Sequence, residues 1–140
     1  MLAYGYIVRR LLDKGIHAMG IDVSKWCEKQ AQKIIPGHFI RHDMTKRLPF
    51  RNKEFDVVYC EGVLEHIDPY SIADVMREFD RVSKYRIIQT SFSTHKNVSE
   101  TDGHICIRPM EWWFAMIPEQ TWLFLDESGT DGGNQWLYKG

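Results

Sequence analysis

The sequence lacks an excess of either charge, a long apolar run and a signal-peptide pattern. Lys and Arg number 18 and Asp and Glu 19, so the formal net charge is -1. Proteins that bind nucleic acid or anionic membrane surfaces generally show a basic excess. No apolar stretch approaches the ~18 residues of a membrane span, and the N-terminus has no cationic region followed by an apolar run. These absences predict a cytoplasmic protein without nucleic-acid or membrane partners.

Cysteine is also scarce, and the sequence has no CxxC pair. The three cysteines are far apart: Cys27, Cys60 and Cys106. An odd, scattered set is typical of reduced thiols, not of a disulfide framework or a zinc site. His95, Asp102 and His104 form a loose candidate set of ligands, but they do not have the spacing of a metal site. The sequence therefore predicts no metal site.

The length and composition of the chain fit one globular domain, and the order of its predicted helices and strands fits the α/β class. The chain has 140 residues, of which 44% are apolar and 26% charged. Helix patterns cover residues 6–14, 24–35, 71–82 and 109–117, and strand patterns cover residues 17–22, 38–42, 55–60 and 85–90. Two further strands, 122–125 and 134–138, would form an antiparallel hairpin across a glycine-rich turn at 128–133. Strands that alternate with helices predict a mainly parallel sheet.

Ligand-type residues follow three of the predicted strands, and open α/β sheets bind ligands at the carboxyl ends of strands. Asp22 ends the first strand, where a carboxylate can accept hydrogen bonds from both hydroxyls of a ribose. Asp43 and Met44 follow the second strand and could meet an adenine. Glu61 and Gly62 follow the third, and glycine allows a close backbone approach to a ligand.

The first two acids also have purely structural explanations. Asp22 could help to cap the helix that begins after Ser24, which is itself a candidate N-cap. Asp43 could be a turn former before Thr45. The residue pattern does not decide between these roles and ligand binding.

Longer segments resemble a known family. Residues 48–50 (LPF), 54–59 (EFDVVY) and 63–67 (VLEHI) closely resemble class I S-adenosylmethionine-dependent methyltransferases, in particular the branch that acts on small molecules and glycans. Residues 15–24, which end in GIDVS, are similar to the family's second strand and its ribose-binding acid, although nicotinamide enzymes share this pattern. The resemblance covers nearly the whole chain, so it implies a Rossmann-like sheet in a single domain over residues 1–140.

Segments near the two ends of the chain resemble the family's glycine-rich loop and its substrate side. Residues 4–8 (YGYIV) are similar to the end of the family's glycine-rich loop as it runs into the first helix. Residues 102–105 (DGHI) and 109–113 (PMEWW) are similar to a substrate-side segment of some members.

The resemblance implies S-adenosylmethionine as cofactor and assigns residues to it. Gly5 would lie near the methionine moiety, and Asp22 would bind the ribose hydroxyls with Val23 against the adenine. Asp43 would meet the adenine amino group with Met44 beside it.

The other implied positions concern the mouth of the site and the acceptor. Glu61 and Gly62 would sit beside the cofactor. His66 and His104 would face the acceptor and could act as general bases, since histidine titrates near neutral pH.

The chain is rich in tryptophan, with five residues. Trp112 and Trp113 are adjacent, so on a helix they point about 100° apart. We expect one to pack into the core and the other to line an acceptor pocket or an interface. The remaining three are predicted to be core or sheet-packing residues: Trp26, Trp122 and Trp136.

The N-terminal part of the family pattern is absent from this sequence. Family members begin with a strand that ends in an acid and a Gly-x-Gly-x-Gly loop, whereas this sequence starts at what would be the last glycine of that loop. The missing strand would lie at the centre of the sheet, between residues 17–22 and 55–60. These two strands could pair directly, another copy or another protein could donate a strand, or the chain could be a piece of a longer protein. We expect an oligomer or a partner chain that covers the gap.

Methyl transfer from S-adenosylmethionine to a small-molecule or glycan acceptor is therefore the predicted function. The alternative is a degenerate methyltransferase-like scaffold that binds a partner without catalysis. A nicotinamide-dependent enzyme is a third possibility, but it would need a Gly-x-Gly-x-x-Gly fingerprint before the first helix.

Overall fold

The computed structural model describes residues 5–90, 103–116, 122–124 and 135–139. The chain divides into two compact units, Met1–Leu48 and Pro49–Gly140. Helices and strands alternate along both, and this confirms the predicted α/β class. The predicted loop before Gly103 and the predicted turn at 128–133 lie outside the described residues. So do His95 and Asp102.

None of the helices in the described ranges has the length and apolar character needed to cross a membrane.

The N-terminal unit is a two-stranded parallel sheet with two helices. In chain order its elements are α1 (Tyr6–Asp13), β1 (Gly20–Asp22), α2 (Lys25–Ile34) and β2 (Phe39–Arg41). Gly20 lies opposite Phe39 and Asp22 opposite Arg41 in the ladder. The first strand is shorter than predicted because the three residues of β2 pair only with Gly20–Asp22.

The core of this unit comes from apolar side chains on its helices and on the segment before β1. Its buried members are Val8, Ala18, Ala31 and Ile35. Ser24 caps α2 as predicted, since its Oγ accepts hydrogen bonds from the backbone N–H of Trp26 and of Cys27. The sequence predicts Trp26 to be a core or sheet-packing residue, and the core placement is wrong, because Trp26 is 50% exposed. It lies in the first turn of α2, whose buried side carries Cys27 and Ala31.

The C-terminal unit contains a four-stranded sheet in the order β3-β4-β6-β5. Its strands are β3 (Phe55–Glu61), β4 (Ser83–Thr90), β5 (Trp122–Phe124) and β6 (Gln135–Lys139). Its helices are α3 (Ile72–Val82) and α4 (Met110–Ala115), and short 3-10 turns form at Leu64–His66 and Pro69–Ser71. β3 and β4 are parallel, whereas β6 pairs antiparallel with both β4 and β5. The predicted closing hairpin is therefore confirmed.

Helix α3 provides most of the buried apolar side chains of this unit. Its buried residues have helical spacing: Ile72, Val75, Met76, Phe79 and Val82. In the sheet, Cys60 of β3 lies opposite Ile88 of β4, and both are buried. Val57 and Tyr85 form another opposed pair but are 45% and 41% exposed. Since side chains alternate between the two faces of a strand, one face of the β3–β4 pair is buried and the other is open.

Strands β1 and β3 belong to different sheets. Within the described ranges, β1 pairs with β2 and β3 pairs with β4.

Candidate functional site

Asp22 ends β1 with one carboxylate oxygen held in place. Its Oδ1 accepts a hydrogen bond of 2.8 Å from the backbone N–H of Ser24, the N-cap of α2. Its Oδ2 accepts none from residues 5–90. The structural explanation of Asp22 is thus correct for one oxygen, and the other oxygen still offers lone pairs to a ligand. The neighbouring Val23 is 67% exposed, which leaves an apolar surface beside that carboxylate.

Asp43 lies two residues beyond the end of β2 and forms a tight turn. Its Oδ1 accepts hydrogen bonds from the backbone N–H of Thr45 at 2.9 Å and from the Thr45 hydroxyl at 2.8 Å. These two bonds, aided by the positive charge of Lys46, hold the pKa of the Asp43 carboxyl below its usual value. The carboxylate is therefore ionised at neutral pH. Met44, the next residue, is half-buried.

Both acids lie at the same edge of the N-terminal sheet. The two strands are parallel and in register, with Asp22 opposite Arg41. The ladder continues for one more bond, because the backbone N–H of His42 donates to the carbonyl of Asp22 at 3.0 Å. Asp43 follows immediately. The carboxyl ends of parallel strands are where open α/β sheets bind ligands, so the predicted placement of both acids at that edge is confirmed.

Gly5 is the N-cap residue of α1 and has a backbone conformation that suits glycine. Its φ is 88°, in the left-handed region, and its carbonyl accepts the first helical hydrogen bond from Arg9 at 2.8 Å. A Cβ at this position would lie 2.8 Å from Cδ1 of Ile35. Gly5 therefore allows the start of α1 to approach the core of its unit closely.

In the C-terminal unit, β3 ends in Cys60 and Glu61. Burial raises the pKa of the Cys60 thiol to about 12, so the thiol is protonated at neutral pH. Glu61 accepts a 2.6 Å hydrogen bond from the hydroxyl of Tyr59. Burial and this carboxylate raise the pKa of Tyr59 above its usual value. Gly62 follows with a φ of 61°, which turns the chain away from the strand.

Glu65, His66 and His104 form a cluster beyond this turn. The carbonyl of Glu65 accepts hydrogen bonds from the backbone N–H of Ile105 at 2.8 Å and of Cys106 at 2.9 Å. The rings of His66 and His104 are edge-to-face, with centroids 4.6 Å apart. One donor atom from each of the three side chains lies within 4.8 Å of the other two. Glu65 is only 4% exposed, whereas His66 is exposed.

The sequence predicted the two histidines of this cluster individually, and it missed Glu65. The segments that meet are far apart in sequence, because Nδ1 of His66 contacts the carbonyl of Gly103, 37 residues away. The only local signal was the adjacency of Glu65 and His66, which is common in solvated turns.

One member of the tryptophan pair packs into the core, as predicted. Trp113 is fully buried, and Trp112 is half-buried. Their rings are edge-to-face, with centroids 5.1 Å apart. The guanidinium carbon of Arg108 lies 5.8 Å from the centre of the Trp112 ring, within the range of a cation–π contact. Trp113 therefore anchors α4, and Trp112 keeps part of its ring accessible.

Comparison with known proteins decides the family. A family profile described as a methyltransferase domain matches residues 2–86, which is more than half of the chain. The chain belongs to the methyltransferase domain family. Its cofactor is S-adenosylmethionine, as the sequence predicted. No curated protein matches this methyltransferase domain significantly.

Solved structures share the fold of this methyltransferase domain at low sequence identity. The PH0226 protein of Pyrococcus horikoshii OT3 is 17% identical, with a TM-score of 0.73 over 99% of this chain and 77% of that one. A SAM-dependent methyltransferase from Leishmania major is 15% identical, with a TM-score of 0.72 over 99% of this chain and 61% of that one. LepI, solved in complex with SAM, is 10% identical, with a TM-score of 0.65 over 99% and 41%. The chain thus spans less than two thirds of the last two proteins.

Proposed function

We propose that this chain transfers a methyl group from S-adenosylmethionine to a small-molecule or glycan acceptor. The observation that carries the proposal is the pair of acids at the carboxyl edge of the β1–β2 sheet. Each holds Oδ1 in a local turn, which fixes the direction of the carboxylate without using all its acceptor capacity. Such preorientation is what recognition of a polar ligand requires.

The N-terminal unit supplies groups that suit the cofactor. Oδ2 of Asp22 would accept hydrogen bonds from the ribose hydroxyls, and the exposed side chain of Val23 would cover the adenine. Asp43 would accept a hydrogen bond from the adenine amino group, with Met44 against the ring. Gly5 would lie beside the methionine moiety.

The C-terminal unit would supply the acceptor side. Glu61 and Gly62 would lie at the mouth of the cofactor site. His66 would take the proton of an acceptor hydroxyl, with His104 edge-on to its ring. The accessible face of Trp112 would support a sugar or a planar acceptor.

Beyond binding the two substrates, the protein needs only to accept a proton and to align the reacting atoms. His66 would take the proton of the acceptor hydroxyl, and S-adenosylmethionine, when bound, would supply the methyl group and leave as S-adenosylhomocysteine. Because the sulfonium carries its own leaving group, alignment of the two substrates provides most of the acceleration.

We further propose that a second copy or a partner chain adds a strand beside β3. This strand is the last in the order of the four-stranded sheet, and edge strands readily accept another strand. Apolar side chains on one face of the β3–β4 pair, Val57 and Tyr85, are substantially exposed. Sedimentation that shows only a monomer would remove pairing between identical copies. The single-domain organisation and the cytoplasmic location stay predictions.

Calorimetric titration of S-adenosylmethionine and S-adenosylhomocysteine into the 140-residue chain tests the main proposal. We expect binding with micromolar affinity, followed by detectable methyl transfer in a screen of hydroxylated acceptors. A folded protein that binds neither compound would overturn the proposal for this chain, and the scaffold alternative would then replace it. Circular dichroism of the same sample establishes that it is folded.

A further inference from the structure

We propose that Glu65, His66 and His104 bind a divalent transition-metal ion, with Zn²⁺ as the representative case. Metal binding goes beyond the proposed methyl transfer, in which His66 acts without a metal. It also revises the expectation, drawn from the sequence, that the chain has no metal site. The three side chains are hereafter called the Glu–His–His cluster.

The spacing of the cluster suits a single ion. One donor atom from each side chain lies within 4.8 Å of the other two. With bonds of about 2.0–2.2 Å, the ligand atoms of a tetrahedral zinc ion are roughly 3.3–3.6 Å apart. A contraction of about 1–1.5 Å is thus enough to complete the coordination, and rotation of side chains can supply it because His66 is exposed and His104 only half-buried.

The surroundings of His66 orient it as a ligand. Its Nδ1 lies 3.0 Å from the carbonyl oxygen of Gly103. A carbonyl oxygen only accepts, so Nδ1 carries the proton and Nε2 keeps its lone pair. Histidines that ligate metals almost always donate their other ring N–H to a carbonyl or carboxylate in this way.

The backbone also holds the two contributing segments together. The Glu65 carbonyl accepts hydrogen bonds from Ile105 and Cys106, the residues that directly follow His104. These bonds place His104 beside Glu65 before any ion arrives. Segments that are already held together lose less conformational entropy on binding than segments that the ion must bring together.

The donor set selects the class of metal. Two imidazoles and one carboxylate suit zinc and iron, cobalt or nickel, whereas magnesium and calcium prefer oxygen ligands throughout. Glu65 is buried, and a carboxylate with little access to water gains strongly from a cation at contact distance. Three protein ligands leave at least one position open, as in catalytic rather than structural zinc sites.

A role in the reaction rests on the proposed function. An acceptor hydroxyl in the open position would have its pKa lowered by the ion. His66 would then hold the metal through Nε2, and the proton of the ionised hydroxyl would pass to solvent water instead of to His66. The two mechanisms differ in the need for metal, so treatment with a chelator distinguishes them.

The binding test uses the full chain after removal of metal with a chelator. We expect one Zn²⁺ per chain by calorimetry, and Co²⁺ should give the visible absorption of a low-symmetry cobalt site. His66→Asn and His104→Asn should each weaken binding at least tenfold. His17→Asn is the matched control, because His17 also has a histidine ring beside it, that of His38 at 5.9 Å, but belongs to the N-terminal unit.

The inference is overturned if the folded chain binds neither ion, or if the His17 variant loses as much affinity as the two cluster variants. Glu65→Gln adds a second test, provided that circular dichroism shows it to be folded. Titration of S-adenosylmethionine into the metal-free chain keeps this result separate from the proposed function. Cofactor binding without metal binding would remove only the Glu–His–His cluster as a metal site.

Discussion

The two units hold their candidate functional groups in different ways. In the N-terminal unit, Asp22 and Asp43 each accept a hydrogen bond from the backbone N–H two residues further along. In the C-terminal unit, the Glu–His–His cluster depends on contacts that span 37 residues, such as that from His66 to Gly103. Local bonds need only the right short sequence, whereas the cluster needs the tertiary fold of its unit. Changes to packing should therefore affect the two sets of groups unequally.

The largest expected effect is a loss of stability on substitution of Trp113, which anchors helix α4 after the segment that carries His104. Trp113→Ala removes a fully buried indole and should lower the free energy of unfolding of the C-terminal unit by about 3–5 kcal/mol. Trp112→Ala removes a half-buried ring and should cost about 1–2 kcal/mol. Urea unfolding followed by circular dichroism measures both.

The same pair of variants sharpens the comparison between the units. Trp113→Ala should also weaken Zn²⁺ binding, because residues 103–106 precede the helix that Trp113 anchors. Cofactor contacts made by Asp22 should change much less. Equal losses of stability for the two tryptophan variants would contradict the division between buried anchor and accessible ring.

The second largest expected effect is a loss of stability on substitution of Gly5 at the start of α1. Gly5→Ala combines a positive φ with a Cβ 2.8 Å from Cδ1 of Ile35, so it should destabilise the N-terminal unit by about 2–3 kcal/mol. Gly15→Ala is the control, because Gly15 also has a positive φ, of 74°, but a Cβ there would meet nothing within 4 Å. It should cost only about 1 kcal/mol.

A double variant separates strain from collision at this site. Ile35→Val removes the Cδ1 atom that the new Cβ would meet. Combined with Gly5→Ala, it should cost less than the sum of the two single substitutions. Strict additivity, measured by urea unfolding of all four proteins, would show that the loss does not arise from the contact with Cδ1 of Ile35.

Most of the fold could be predicted from the sequence because its causes are local. The Ser24 cap, the apolar spacing of α3 and the carboxyl-edge positions of both acids depend on residues within one or two helical turns. Trp26 was assigned to the core wrongly because a hydrophobic residue in a first turn can face either way. Glu65 was missed because its relation to His104 depends on how the chain returns after β4, and no short pattern encodes that return.

Substitution of Asp22 tests whether the carboxylates held in local turns bind the cofactor. Asp22→Ala should weaken S-adenosylmethionine binding by about 1–3 kcal/mol, since it removes charge-assisted hydrogen bonds. Asp22→Asn keeps an oxygen for the Ser24 N–H and should retain the helix cap while it still loses affinity. Asp13→Ala is the control, because Asp13 is an exposed acid of the same unit that pairs with Arg9. Unchanged calorimetric affinity in both Asp22 variants would contradict the assignment.

The smallest expected effect is the pH response of the second acid. The two hydrogen bonds from Thr45 hold the pKa of Asp43 below its usual value of 3.8 in the folded chain. The folded state therefore binds this proton less tightly than the unfolded state, so Asp43 contributes stability above the usual pKa and loses it as the pH falls through the lowered one. Carboxyl-carbon NMR titration of Asp43 should show the lowered pKa directly. In Thr45→Val the hydroxyl donor is lost and the backbone N–H remains, so the pKa should return only part of the way. A pKa unchanged by this substitution would mean that the backbone bond alone orients the carboxylate, and the turn would then depend still more strictly on local structure.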